Sequence, residues 1–323
     1  VQLDDASTAW SMHSRHYVSN LISTVEDLLR EEDRELKGRW KSKTHSTPLP
    51  KTYKPELDDT RLCNEDHASR YRQIIGMLKW AVELGRMDIH VETAIMSQYQ
   101  AEPRVGHLEA LYLIVHYLKR FPFKRVIFDP RTVPVDENEF YDTSSWVEFY
   151  GDVVEENPPG MPEPLGNPVT ITCFVDADHA TNQVTRRSHT GIIIFLNRAP
   201  TMSFSKRQNT CESSTYGSEL VAMRIARDLI SAMRIKLKSF GIPIQGPANT
   251  YGDNASVVKN VTIPESTLNK RHNSINYHIV RESVAAKIMR VAKEDTETNI
   301  ADAFTKLLDA TRKGALLRFL KNE

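Results

Sequence analysis

The chain has 323 residues, which is enough for a sizeable core and, at ordinary domain sizes, about two domains. Hydrophobic residues make up 40% and charged residues 26%, and Lys plus Arg equals Asp plus Glu at 42 each, so bulk charge gives no argument for a polyanionic partner. The three cysteines lack C-x-x-C spacing and no apolar run approaches the roughly 20 residues of a membrane span, which argues against a disulfide scaffold, a zinc site and membrane association.

The first 135 residues are dominated by helical periodicity. Apolar residues recur at helical spacing in four segments, which predicts four amphipathic helices over 17–30, 68–84, 87–99 and 104–121. The last three are joined by short connections and are expected to pack antiparallel. The charged and then proline-punctuated stretch 31–59 is interpreted as an extended connector, and 125–130 as a short strand.

Residues 136–168 are acidic and rich in Pro and Gly, so we interpret them as a linker between two domains. Beyond the linker the pattern becomes mixed α/β. The expected order is three consecutive strands, a long helix, a strand, two helices, a strand and a last helix, over 170–176, 190–196, 199–205, 213–240, 250–253, 254–261, 269–286, 287–293 and 299–308.

Acidic residues in this second part fall at the ends of predicted elements. The strand TITCFVDAD, over 170–178, ends in Asp176 and Asp178, and three further acids follow at element ends: Glu219, Asp253 and Asp302. Each alone fits an ordinary turn or helix-start residue. Carboxylates that converge from rigid element ends are also the ligands that hard divalent cations prefer, so together these acids predict a metal site.

Six motifs follow one another from residue 170 to the C-terminus: FVDADHA, RRSHTG, SFSKRQNTCESSTYGSELVAM, TYGDNASVV, NKRHNSINYHIVRE and NIADAFTK. In this order they resemble the ribonuclease H domain of copia-type LTR retrotransposon Pol polyproteins. Upstream, WSMHSRHYVSNLI and HLEALYLIVHYLKR resemble the region that follows the reverse transcriptase palm, including its thumb-like helices.

The resemblance implies an α/β fold for 169–323, with a ribonuclease H-like mixed five-stranded sheet flanked by helices. A mainly helical palm-end and thumb-like region would precede it over 1–135, with 136–168 as the linker. The implied activity is that of a metal-dependent endoribonuclease that hydrolyses the RNA strand of RNA:DNA hybrids during reverse transcription.

The resemblance also implies which residues act. Asp176, Glu219, Asp253 and Asp302 would be the catalytic residues and the ligands of two Mg²⁺ ions, or Mn²⁺ in their place, about 3.5 to 4 Å apart. Asp178 is the weaker candidate. Small polar residues beside these acids are candidates for contacts to 2′-hydroxyls and backbone, with helix capping as the alternative: Ser213, Ser214, Thr215 and Asn254. Basic residues are candidate phosphate contacts: Lys206, Arg207, Lys270, Arg271 and His272.

Asp4 and Asp5 come shortly before WSMHSRHYV, so we interpret them as a turn at the end of a palm strand. The polymerase centre is therefore expected to be absent, and the start without Met is interpreted as that of an excised or processed piece. The expected partners are an RNA:DNA hybrid and a separate palm or other Pol and Gag products, with no membrane. The implied location is cytoplasmic, in a virus-like particle, or nuclear. The alternative function is a non-catalytic nucleic-acid-binding or scaffold remnant, including a domesticated host protein.

Overall fold

The computed structural model describes residues 9–36, 47–141, 144–268 and 271–322. The candidate Lys270 lies outside these residues, as do Asp4 and Asp5. The helices are α1 (Arg15–Arg30), α2 (Glu65–Glu83), α3 (His90–Met96), α4 (Val105–Arg120), α5 (Val147–Tyr150), α6 (Thr215–Ser239), α7 (Ala255–Thr262), α8 (Ser274–Ala285), α9 (Asp302–Thr305) and α10 (Ala310–Leu316). The strands are β1 (Trp10–His13), β2 (Lys124–Phe128), β3 (Ile171–Asp178), β4 (His189–Leu196), β5 (Ala199–Arg207), β6 (Ala248–Gly252), β7 (Met289–Lys293) and β8 (Leu320–Asn322).

The N-terminal part, residues 9–135, is called the helical half below. Its helices α1 to α4 bury one apolar stripe each around a shared core, as the periodicity predicted. The segment 87–99 is regular only in its middle, because single 3₁₀ turns at Met87–Ile89 and Ser97–Tyr99 flank α3. Helix α2 begins at a capping residue, since the Asn64 side chain accepts a hydrogen bond from the His67 amide.

The C-terminal part, residues 169–322, is called the sheet half and contains a five-stranded sheet of order β5-β4-β3-β6-β7. Strands β3, β4 and β5 form an antiparallel meander, whereas β6 and β7 run parallel to β3. Helix α6 crosses one face with α7 and α8, and α9 and α10 cover the other. The predicted mixed five-stranded sheet flanked by helices is therefore confirmed.

Strand β4 is buried on both faces, which explains why its sequence is a continuous apolar run rather than an alternating one. Ile192 and Ile194 pack towards α6, while Ile193 and Phe195 pack towards α9 and α10. The strand therefore anchors both layers of the sheet half. None of the helices in the described ranges is long and apolar enough to cross a membrane.

The two halves share a second, antiparallel sheet of order β1-β2-β8. Only β2 was predicted, because β1 and β8 are short and gain their partners from distant parts of the chain. The C-terminal segment also contacts the helical half through an ion pair between Lys313 on α10 and Glu92 on α3, 2.5 Å apart and buried. The domain limits at 135 and 169 remain a prediction.

The segment predicted as a linker packs against the sheet half at several points. Trp146 is buried in the core of the sheet half, where the Arg281 guanidinium of α8 lies over its ring, and Glu155 accepts hydrogen bonds from Arg234 at 2.7 and 2.8 Å. Glu137 also forms an ion pair with Arg290 on β7. The high content of Pro, Gly and acids in this segment did not reveal these contacts, because each depends on how the segment packs against residues distant in the chain.

The predicted last helix over 299–308 is wrong in extent, since α9 has only four residues. Lys306 adopts an extended backbone, and the chain then turns so that Leu308 packs into the core beside Phe304. A new helix, α10, begins after Asp309, whose side chain accepts from the Arg312 amide. Apolar spacing alone did not show this break, because buried leucines occur both before it, at Leu308, and after it, at Leu316 in α10.

Candidate active site

Three predicted acids meet at one end of the five-stranded sheet. Asp176 lies near the end of β3, and Asp253 directly follows the parallel strand β6, whose Gly252 pairs with Val175. Parallel strands deliver their carboxyl ends to the same edge, so the two acids become neighbours. Glu219 lies in the second turn of α6, which packs on β3. One carboxylate oxygen from each of Asp176, Glu219 and Asp253 lies within 4.8 Å of the other two.

Asp176 and Glu219 are buried and Asp253 is half-buried, and burial raises the free energy of the charged form of a carboxyl group. Burial raises the pKa of Asp176 to about 7, with a smaller contribution from Asp302 and a partial opposing effect of Lys306. Burial also raises the pKa of Glu219 well above its usual range, and the charges of Asp176 and Asp253 add to the rise. The raised pKa values show that the surrounding protein does not fully stabilise the negative charge of these carboxylates.

Asp302 lies beside this cluster but both of its oxygens are engaged by cations. Lys306 Nζ is 2.7 Å from Asp302 Oδ1, and Arg312 Nη2 is 2.6 Å from Asp302 Oδ2. The same Lys306 Nζ lies 3.3 Å from Asp176 Oδ2. Burial alone would lower the pKa of Lys306, but Asp176 and Asp302 raise it above its ordinary value. Lys306 is therefore a cation held between two of the predicted acids.

Close packing of α9 on the sheet fixes the position of Asp302 relative to Asp176. The Asn299 side chain donates to the Val175 carbonyl at 3.0 Å, and Thr305 Oγ1 donates to Asp176 Oδ2 at 2.5 Å. Gly191 on β4 is opposite Asp176, and a Cβ there would come within 2.7 Å of the Ala301 carbonyl oxygen. A side chain at this position would push α9 away from the acids.

The candidate substrate residues lie on two flanks of the cluster. On the α6 flank, Ser214 caps the helix through the Gly217 amide at 3.2 Å, and Asn254 caps α7 through two amides at 3.1 and 3.2 Å. Both capping alternatives are thus present. The remaining candidates on this flank are exposed: Ser213, Thr215, Arg271 and His272. On the opposite flank, Lys206 and Arg207 end β5 and face the helical half.

Four further residues at the site were not predicted as site residues from the sequence: Asn299, Thr305, Lys306 and Arg312. Lys306 follows Asp302 at i+4, a spacing that places opposite charges together on a helix, so its sequence position carried a usable signal. Asn299 and Arg312 gave none, because their roles depend on how the chain turns before and after α9. Asp178 faces a cavity beside the cluster, and burial raises the pKa of its carboxyl.

The raised pKa of Asp176 predicts a pH-dependent effect of Asp176→Asn on stability. Because the folded protein binds this proton up to about pH 7, against an ordinary value of 3.8, the metal-free protein loses stability as pH rises through that window. Asn cannot ionise. The melting temperature of Asp176→Asn minus that of the unsubstituted protein, measured in chelator, should therefore be more positive at pH 8 than at pH 5. A difference that does not change with pH would contradict the inferred pKa.

Comparison with solved structures finds ribonuclease H domains. The N-terminal RNase H domain of a Mycobacterium tuberculosis protein is 10% identical and covers 46% of this chain and 97% of its own, with a TM-score of 0.33. RNase H1 from Halobacterium salinarum is 14% identical, with coverages of 46% and 98% and a TM-score of 0.33. LC11-RNase H1, solved in complex with an RNA/DNA hybrid, is 13% identical, with coverages of 42% and 94% and a TM-score of 0.35.

No protein-family model matches the chain. Among curated proteins, the retrovirus-related Pol polyprotein from transposon RE1 of Arabidopsis thaliana is 24% identical over 271 residues, which is 84% of this chain and 16% of the relative. The Pol polyprotein from transposon RE2 of the same plant is 23% identical over 240 residues, or 74% of this chain and 14% of the relative. The corresponding protein from transposon TNT 1-94 of Nicotiana tabacum is 24% identical over 242 residues, or 74% and 15%.

The chain thus spans only 14 to 16% of the length of these relatives. The match covers both halves of the structure, since 84% of the chain aligns with the RE1 relative. Together with the ordered motifs of the sheet half, these relatives confirm the resemblance drawn from the sequence. The chain is a homologue of one segment of the Pol polyproteins of copia-type retrotransposons.

Proposed function

We propose that the protein is a divalent-metal-dependent ribonuclease H that hydrolyses the RNA strand of RNA:DNA hybrids. The observation that carries this proposal is the convergence of Asp176, Glu219 and Asp253 from β3, α6 and β6. Retrotransposon Pol relatives support it. Location in a virus-like particle or the nucleus belongs to the same proposal.

The donor set fits Mg²⁺ or Mn²⁺. Carboxylate oxygens are the ligands that these hard cations favour, and three of them lie within 4.8 Å of one another at a buried position. The raised pKa values of Asp176 and Glu219 indicate negative charge that a divalent cation would relieve. When bound, such cations supply an activated water and stabilise the leaving oxygen of a phosphodiester.

The chain's own residues prepare the site for this chemistry. Thr305 orients the Asp176 carboxylate by donating to Oδ2, and Asn299 holds the loop before α9 against β3. Lys306 partly neutralises Asp176 and Asp302, which lets the acids remain close together without a bound cation. Asp302 would join Asp176 as a ligand only after one of its oxygens exchanges a protein cation for a metal.

The engagement of Asp302 also favours a second candidate function. A carboxylate whose two oxygens already bind Lys306 and Arg312 is expected to bind metal less readily than a free one. If that ion-paired state persists with metal and substrate present, the protein would be a non-catalytic nucleic-acid-binding module, as a remnant or a domesticated protein.

A direct test is a Mg²⁺ titration with an RNA:DNA hybrid labelled on its RNA strand and resolved on a denaturing gel. We expect cleavage of RNA in the hybrid that requires Mg²⁺ or Mn²⁺, with double-stranded RNA and double-stranded DNA of the same sequence left intact. Hybrid binding without cleavage at every Mg²⁺ and Mn²⁺ concentration would favour the non-catalytic module. Cleavage in chelator would contradict metal dependence.

A further inference from the structure

A cavity of about 410 Å³ lies between the two halves, beside the acidic cluster. Its walls in the sheet half include Asp302 and Lys306, which lie beside the acidic cluster. Its walls in the helical half come from the connector and α3 and include Lys51, Lys54 and Tyr99. The helical half therefore borders the same space as Asp302, one of the four predicted catalytic residues.

This cavity continues along strand β5. A second cavity of about 390 Å³ shares Gln98 and Arg207 with the first, and Lys79 and Lys206 line it. The two cavities are adjacent because they share these wall residues, and together they define a region that extends from Asp302 past Arg207. We call it the interhalf cleft.

The interhalf cleft is lined by more cations than its own acids form ion pairs with. Among the residues described, Lys51, Lys54, Arg187 and Arg207 line the first cavity without forming an ion pair within 4.0 Å. In contrast, the acids nearest the cluster already have cations: Asp302 binds Lys306 and Arg312, and Glu297 also binds Arg312. The remaining acids in this cavity are Glu56, which accepts from the Gln183 amide, and Asp178.

Two observations concern the connector, which forms part of the wall of the first cavity. Lys54 of the connector and Asp178 of the sheet half line the same cavity. The Tyr53 hydroxyl, in the same wall, is buried and has no hydrogen-bond partner among the described residues. A buried hydroxyl without a partner is costly unless a ligand or water completes it.

We propose that the interhalf cleft binds the sugar-phosphate backbone of the substrate next to the acidic cluster, with Lys51 and Lys54 of the helical half as phosphate contacts. This inference rests on the proposed function, since it identifies a further part of the same substrate site. Unpaired cations on facing walls suit a phosphate backbone, because such contacts position a strand without reading its sequence. The helical half is thereby part of the substrate site.

The test compares two double variants of the full chain. Lys51→Gln with Lys54→Gln removes the two proposed phosphate contacts, and Lys236→Gln with Lys287→Gln removes two exposed lysines that do not line the interhalf cleft. Hybrid affinity is measured by fluorescence anisotropy across a series of salt concentrations, in an Asp253→Asn background so that no strand is cut. Cleavage rates are measured separately with Asp253 intact.

We expect the Lys51/Lys54 variant to bind the hybrid on the order of tenfold more weakly than the Lys236/Lys287 control. Each lost phosphate contact lowers the slope of log affinity against log salt by about 0.9, so the slope should become shallower by about 1.8. With Asp253 intact, KM should rise while kcat changes little, because the lysines hold substrate and do not touch the reacting atoms.

The outcomes separate this inference from the proposed function. If the unsubstituted protein cleaves the hybrid but the Lys51/Lys54 variant matches the control in affinity and salt slope, the cleft assignment is wrong and the ribonuclease stands. If affinity and slope fall as expected but no protein cleaves, the cleft stands and the ribonuclease is wrong. Equal binding together with absent cleavage overturns both.

Discussion

Replacing Asp253 with Asn should lower the rate of Mg²⁺-dependent hybrid cleavage by at least about 10³-fold. Asn preserves the size of the side chain but removes one of three negative charges that face each other within 4.8 Å. A metal-assisted phosphodiester reaction draws several kcal/mol of transition-state stabilisation from its cations, and each 1.36 kcal/mol corresponds to about tenfold in rate. Asp253 follows β6 at a chain position fixed by strand pairing, so the substitution should leave the fold intact.

The measurement is a single-turnover cleavage rate at saturating hybrid, with binding measured in parallel. Asp152→Asn is the matched control, because Asp152 is exposed and lies in the segment before the sheet half. We expect the control to cleave at the unsubstituted rate and Asp253→Asn to bind hybrid with little change in affinity. Retained cleavage in Asp253→Asn would show that the three carboxylates are not the catalytic centre.

Replacing Asp88 with Asn should lower the free energy of unfolding by about 3 to 5 kcal/mol, the usual cost of leaving a buried charge unpaired. Asp88 is fully buried and accepts from Arg86 Nε and Nη2, both at 2.9 Å, and from the Tyr117 hydroxyl at 2.9 Å. Burial would raise the pKa of Asp88, but Arg86 and Lys124 hold it well below its usual range. Asn would leave the buried Arg86 guanidinium without its counter-charge.

Two further variants, followed by urea unfolding, distinguish lost charge balance from lost packing. Asp27→Asn, which breaks an exposed pair with Arg30 at 2.7 Å, should cost no more than about 1 kcal/mol. Arg86→Met combined with Asp88→Leu should recover much of the stability lost in Asp88→Asn, because it removes both buried charges. If Asp88→Asn is no more destabilising than Asp27→Asn, the buried pair does not stabilise the fold as argued.

The sheet half followed from the sequence because its signals are local. The apolar, β-branched run of β4 indicated a strand, and the predicted strands that precede Asp176 and Asp253 indicated that both acids would lie at strand ends. The helical spacing of apolar residues over 213–240 placed Glu219 near the start of α6. Placing these three acids together required only that the strands pair in the expected order.

The contacts around Asp302 were not predictable in the same way. Arg312 reaches Asp302 from α10, a helix that exists because the chain breaks at Lys306 and restarts after Asp309. Strand β8 and the interhalf cleft likewise depend on how distant segments dock. Lys51 and Lys54 lie in a connector whose sequence is polar and punctuated by proline, and only its packing against the sheet half brings them near the acids.

The most direct test of the central claim, that Asp176, Glu219 and Asp253 form a divalent-cation centre, is anomalous diffraction from crystals of the protein grown with Mn²⁺. We expect an anomalous peak bounded by the carboxylates of these three residues. Ordered carboxylates without such a peak, with Lys306 still between Asp176 and Asp302, would contradict it.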